Sequence, residues 1–279
     1  MVRGTVATLI LSFALTNSWA MAQSPAAPAA TAPSSKPAPK KPPAKVRAAT
    51  KPKETDSGPC RIGVIPVVGD SFGVQKMGIT VFGNEYTEVP IDAWRLDDLV
   101  VARVRAAAGS GVKRIAYATG VFEPYEHPPF KLFRDRNEEL ANVVREITSH
   151  ANCEHYVVVT KLKVSIGESN QTVTGMGIIE FGSLLSKGAH LFADINVTFF
   201  DGPDYTIRKN ANAMSLQASL ARTFSMKPAI GPSHEVDRAL FPAVPAEAAA
   251  SSALRDGTRA LLTETLDEQL SPFLGAQQN

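Results

Sequence analysis

The sequence predicts an α/β domain: a mixed β-sheet with helices packed on it, a strand–helix–strand–helix–strand start, late antiparallel hairpins and a C-terminal helix. Three observations carry this expectation. Cys60–Val68 is a nearly continuous apolar run ending in Gly69-Asp70, the pattern of a strand buried on both faces. Leu96–Ala107 and Leu140–Ile147 repeat apolar residues at helical spacing, and each is followed by another strand-like run. The later half turns to β-rich segments, Thr172–Glu180 and His190–Phe200, before a long helical stretch, Ala246–Leu270.

Taken in order, Cys60–Val68 is the first strand. Gly69–Ile91 carries Gly69, Gly73, Gly78 and Gly83 among short β-rich pieces (Phe72–Met77, Ile79–Phe82, Tyr86–Val89) and reads as a small hairpin excursion. Asp92 is the expected N-cap of the first helix, whose apolar positions Leu96, Leu99, Val100, Val104 and Ala107 run until Gly109 and Gly111 stop them. Val112–Ala118 reads as a short strand and Gly120–Pro129 as an aromatic, proline-rich loop. Leu132–His150 is the second helix, with Leu140, Val143, Val144 and Ile147 on one face and Arg136, Glu139, Arg145 and Glu146 on the other. Glu154–Val164 is the next strand, with three consecutive valines. Two further strands flank the loop Phe181–Gly188, Tyr205–Lys209 offers an edge piece, and Met214–Val244 reads as irregular.

The organisation before Cys60 is different. Arg3, the apolar run Val6–Leu15 and Ala20-Met21-Ala22 have the form of an export signal, residues 1–22. Its apolar core of about ten residues is too short to cross a bilayer. Cleavage would leave a periplasmic or secreted chain with no transmembrane segment; retention of the leader as an anchor is the alternative. Gln23–Pro59 holds nine Pro, nine Ala and seven Lys or Arg, and lacks Phe, Trp, Tyr, Leu and Ile. Such a segment buries too little apolar surface to offset its ordering entropy and is expected to be a disordered tether. In polyproline II form it reaches on the order of 100 Å. The tether carries +7 − 2 = +5 and Arg3 adds +1, so the whole-chain +2 leaves −4 on residues 60–279. An acidic, exported domain is a poor partner for nucleic acid. Residues 60–279, with no second linker, are expected to form a single domain.

The chemistry-bearing residues are few. The segment Val67-Val-Gly-Asp-Ser-Phe-Gly73 resembles the stretch where GDSL, or SGNH, hydrolases carry their nucleophilic serine, which would make Ser71 the nucleophile of an esterase. Those enzymes place an Asp three residues before the catalytic His. The five histidines here are preceded at that spacing by Pro124, Ile147, Asn152, Lys187 and Gly231, so none fits. Asp70 and Ser71 are then expected to bond local backbone groups in a turn, and no catalytic residue is assigned. Glu123-Pro-Tyr-Glu-His127 gathers three potential metal ligands but reads as a solvated loop, with no metal assigned. No phosphate-binding or other cofactor motif is present. Phe122, Tyr125, Phe130 and Phe133 are a candidate partner surface, the alternative being that they fold back over the sheet. Cys60 and Cys153 are the only cysteines, and in an oxidising compartment such a pair implies one disulfide.

The opening Gly-Val-Ile-Pro-Val (Gly63–Val67), the order of elements after it and Ala-Asn-Cys-Glu-His-Tyr-Val-Val-Val (Ala151–Val159) together resemble the TolB N-terminal / CsgG / LpoB-like family of bacterial envelope α/β domains. His155 stands where that family has an acidic residue, and no lipid-attachment cysteine follows the leader. The resemblance implies a non-catalytic interaction or accessory module of the cell envelope, its partner another envelope protein or a cell-wall component. It also implies that the strands after Cys60 and Cys153 are parallel neighbours, with leading ends ~5 Å apart and within reach of a disulfide.

Overall fold

The computed structural model describes residues 59–78, 83–129, 134–166, 171–182, 188–208 and 231–274. The expected leader (1–22), the tether up to Gly58, Ile79–Phe82, Phe130 and Phe133 lie outside the described residues. The described residues form a mixed nine-stranded sheet with helices on both faces.

Toward one end of the sheet β1 (Cys60–Val67) runs parallel to β5 (Cys153–Lys161), in register from Cys60↔Cys153 to Val67↔Thr160. The continuous apolar runs follow from burial on both faces. Ile62, Val64, Val157 and Val159 enter one apolar layer, Ile65, Tyr156 and Val158 the opposite one. β4 (Val112–Arg114) adds a short parallel edge to β1. Antiparallel to β5 lies the second half of β8 (Ala189–Asp201), whose first half pairs with β7 (Thr172–Phe181).

The excursion after β1 proves to be part of this sheet. β2 (Ser71–Met77) runs parallel to β7 and carries β3 (Glu85–Pro90) as its antiparallel outer strand. The strand order is β3-β2-β7-β8-β5-β1-β4, with β6 (Lys163–Ser165) on β7 and β9 (Ser233–Val236) on β8. Only Val68, Gly69 and Asp70 separate β1 from β2. A path through the hydrogen bonds from β1 by way of β5, β8 and β7 therefore returns to the same stretch of chain.

Helices α1 (Leu96–Ala108) and α4 (Ser252–Leu274) cover one face through Val100, Val104, Leu254, Leu261, Leu262 and Leu266. The single turn α2 (Glu123–Glu126) and α3 (Arg136–Ile147) cover part of the other through Phe122, Tyr125, Leu140 and Val144. Among the described residues, no helix is long and apolar enough to cross a membrane.

Several boundaries differ from the sequence expectation, each for a local reason. Asp92 opens a 3₁₀ turn, Asp92–Trp94, rather than capping α1. Trp94 turns inward there, its Nε1–H donating to Ala249 O at 2.9 Å, and the chain enters α1 through Arg95 in the left-handed region (φ 54°). α3 starts at Arg136, because Asp135 caps it by accepting from the N–H groups of Asn137 and Glu138. β4 stops at Arg114 and the strand expected to Val164 breaks at Leu162, where β6 turns onto β7. The terminal helix begins at Ser252, after a 3₁₀ run Pro245–Ala250.

One glycine is required by packing. A Cβ on Gly63 would stand 2.6 Å from Tyr156 Cδ1 and 3.0 Å from Ile115 Cγ1, so only a glycine lets the Tyr156 ring lie across β1. That ring stacks on Tyr205 with centroids 5.8 Å apart, and its hydroxyl donates to Ala151 O just before β5.

Candidate functional site

In α/β sheets, functional groups gather at the carboxyl ends of parallel strands. Here the trailing ends of β1, β4 and β5 bring together Asp70, Ser71, Lys161, Tyr117 and, from α1 and β3, Asp97 and Glu88. Lys161, the last residue of β5, is largely buried, with a side chain 11% exposed. Its Nζ lies 2.6 Å from Asp70 Oδ1 and donates to Ser71 Oγ at 2.7 Å. Ser71 in turn donates to Glu88 Oε2 at 3.1 Å, and Tyr86 donates to Glu88 Oε1 at 2.7 Å. Beneath this chain, Asp97 Oδ1 accepts from Val68 N at 3.2 Å and Gly69 N at 2.9 Å, which holds the short link between β1 and β2. Arg114 bonds Asp98 at 2.6 Å and reaches Asp97 at 3.5 Å. Tyr117 donates to Pro66 O at 2.5 Å.

Burial sets the electrostatics. It raises the Asp97 carboxyl above its ordinary range, while the Val68 N–H and Arg114 pull it back down. The Glu126 carboxyl is raised in the same way, with Lys161 opposing. Burial also raises the phenols of Tyr117 and Tyr86, the latter with help from Glu88.

The arrangement bears on the esterase expectation. A serine–lysine pair works as a nucleophile and base when the amine is free to take the hydroxyl proton. Here Lys161 Nζ, 2.6 Å from Asp70 Oδ1, donates to Ser71, and the Ser71 hydroxyl donates to Glu88, so the hydroxyl proton points to a carboxylate and away from the amine. Among the described residues, no histidine bonds Ser71. The esterase reading is not supported. The expected local turn is also corrected: the side chains of Asp70 and Ser71 bond a lysine ninety residues along the chain. Lys161 was missed from the sequence, although a lysine closing the buried run Tyr156–Thr160 is a signal that it has a partner.

The other expected residues are placed as follows. Cys60 and Cys153 form a disulfide across directly paired positions of β1 and β5, Cα–Cα 4.6 Å. Phe122 and Tyr125 are only 3% and 5% exposed, so these two are not a partner surface. Phe122 packs edge-on to Tyr117 at 5.2 Å, and the Arg136 guanidinium sits 4.9 Å over the Tyr125 ring. These two aromatics seal α2 against the sheet, since burying large rings stabilises more than exposing them. Glu123, Glu126 and His127 have donor atoms within 4.8 Å of one another. Glu123 and His127 are exposed and lie 3.1 Å apart, while Glu126 Oε1 is enclosed. His155 stands 3.1 Å from Asp201, and His234 3.3 Å from Glu264.

Fold and cluster define the class: a mixed-sheet α/β domain, cross-linked by a cystine, with an ion-paired polar cluster at the trailing ends of its parallel strands. No family model matches the chain, and no curated protein matches it. Among solved structures it is similar to the crystal structure of protein XCC0632 from Xanthomonas campestris, described by the family model DUF330. The identity is 12% and the TM-score 0.28, over 81% of this chain and 91% of that one.

Proposed function

We propose that this chain is an exported, non-catalytic interaction module of the bacterial cell envelope, working in the periplasm or outside the cell. Its partner is another envelope protein or a cell-wall component. The observation that carries the reading is the Cys60–Cys153 cystine, because a disulfide between two core strands persists in an oxidising compartment. The export-type leader of residues 1–22 supports the same location, and the Pro/Ala/Lys-rich tether supports a domain that acts at a distance from its start. The lack of catalysis is supported by the direction of the hydrogen bonds: Lys161 Nζ, beside Asp70, donates to Ser71, and Ser71 donates to Glu88. β3 supports an interaction role: among the described residues it has β2 on one side only, and an open strand edge accepts a partner strand. The likeness of Gly63–Val67 and Ala151–Val159 to the TolB, CsgG and LpoB group belongs to the same proposal.

The test is cross-linking of the tagged full chain in its own cells, with fractionation and alkylation of free thiols before lysis. The expected result is an oxidised protein outside the cytoplasm, cross-linked to one envelope component. Cytoplasmic protein with two alkylated thiols would overturn the location. Covalent labelling of Ser71 by a fluorophosphonate would overturn the non-catalytic assignment.

A further inference from the structure

The opposite end of the same parallel strands carries a pocket of about 490 Å³, within the range of about 300–1,000 Å³ usual for small-molecule sites. Its lining divides by chemistry. Val112, Ile115, Ala151 and the cystine give it an apolar floor, and Arg105, Lys113, Arg114 and His150 surround that floor, with the Asn152 amide beside them. Among the described residues, no carboxylate lines it. Arg114 is committed elsewhere, its guanidinium bonded to Asp97 and Asp98. Among the described residues, the Arg105 guanidinium reaches only the Val112 carbonyl, at 3.5 Å, and neither Arg105, Lys113 nor His150 makes an ion pair. Residues 60–279, which contribute them, are acidic overall, with a net charge of +2 − 6 = −4. Three uncompensated basic groups around one apolar-floored pocket are therefore a local reversal of that charge.

We infer that this pocket binds a phosphomonoester carried on a compact apolar body. The floor provides contact for the apolar part. Arg105 and Lys113 provide two fixed positive charges, matching the charge of about −1.5 to −2 that a phosphomonoester carries near neutral pH. The Arg105 fork and the Asn152 amide supply directed donors, and Lys113 supplies a point charge. A single carboxylate leaves one of these cations unmatched. The assignment stands independently of where the chain works. The groups that meet the phosphate are open to solvent: Arg105, His150 and Asn152 are exposed and Lys113 is half-buried.

The experiment is calorimetric titration of the full chain with n-octyl phosphate, 1-octanol and inorganic phosphate, at fixed ionic strength. n-Octyl phosphate is expected to bind one per chain, at least tenfold tighter than inorganic phosphate, with no binding of octanol. Arg105→Gln with Lys113→Gln weakens it tenfold or more, and Lys113→Arg retains it. Because Cys60 lines the pocket, bound n-octyl phosphate also slows reduction of the cystine by dithiothreitol several-fold, an effect lost in the double variant. Equal binding to wild type and double variant would overturn the site, because the bases responsible would then lie elsewhere, the tether included. Inorganic phosphate binding as tightly as n-octyl phosphate would overturn the apolar body, and octanol binding equally would overturn the phosphate.

Discussion

The two ends of the parallel strands β4, β1 and β5 are built by opposite means. The leading ends are joined covalently by Cys60–Cys153 and packed by the Tyr156 ring, and the pocket beside them is basic. The trailing ends carry no cross-link; they are tied by charge, through Asp70 to Lys161, Asp97 to the Val68 and Gly69 amides, and Arg114 to Asp98. The difference follows from what each end must do. At the leading end two strands whose first residues are 93 positions apart only have to be held side by side. At the trailing end the chain passes from β1 to β2 in three residues, so backbone amides turn away from the ladder and need acceptors. One end should therefore respond to redox conditions and packing, the other to charge and pH.

The largest effect is expected from breaking the covalent end. The bond joins positions 93 residues apart. For a loop of that size the chain-entropy model gives about 4–5 kcal/mol of stabilisation. Cys60→Ser with Cys153→Ser should lower the denaturation midpoint by a corresponding amount, read by urea titration. Reduction of the wild type should reproduce the shift. A variant as stable as the oxidised protein would mean that the leading ends are held by packing alone.

That packing is probed next by Gly63→Ala. The added methyl would stand 2.6 Å from Tyr156 and displace a ring locked between β1 and Tyr205. Overpacking of this kind costs about 1–3 kcal/mol. The same urea titration measures it, and near-ultraviolet circular dichroism should report the moved tyrosine. An unchanged midpoint would mean that Tyr156 has room to swing away.

The charged end should tolerate more. Lys161→Met keeps the stem and removes the ammonium, leaving Asp70 and Ser71 to water. Asp70 is 66% exposed, so solvent screens much of the pair, and the loss should be about 1 kcal/mol or less. A loss as large as that of the cystine would reverse the ranking of the two ends.

The contrast also decides what was legible in the sequence. β1 and β5 were legible because residues such as Val64 and Ile65 face two apolar layers, and a run apolar at every position has few other uses. Their pairing was reached through the family resemblance, and the cysteine that heads each strand agreed with it. The trailing end was not legible. Asp70, Ser71 and Lys161 look alike whether they bond a neighbour or a residue ninety positions away, because a polar side chain names no partner. Phe72–Met77 read as a strand, but nothing in it says that it pairs with β7. Phe122 and Tyr125 were ambiguous for a related reason: a ring is equally at home in a core or on an interface, and only the position of α2 decides. Arg95 in the left-handed region had no signal, since its neighbour Trp94 dictates the turn from the tertiary side.

The smallest predicted effect sharpens the comparison by pH. Burial raises the Asp97 carboxyl, so the folded state binds its proton more readily than the unfolded chain does. Between the unfolded value and the raised folded value the folded state holds more protons, and stability falls as pH rises through that window. At neutral pH Asp97 is thus ionised against its surroundings, and acidification into the carboxylate range relieves the penalty. Asp97→Asn retains an oxygen able to accept from Val68 N and Gly69 N but has no proton to exchange. The wild type should gain stability relative to Asp97→Asn as pH falls from neutrality through that range, measured as the difference between their melting temperatures at each pH. The two cysteine positions give the reference: the difference between Cys60→Ser/Cys153→Ser and wild type should stay flat over the same range, because a cystine does not titrate. Parallel curves for Asp97→Asn and wild type would show that the amides of Val68 and Gly69, with Arg114, fully offset the burial of Asp97. The trailing end would then be as insensitive to pH as the leading one.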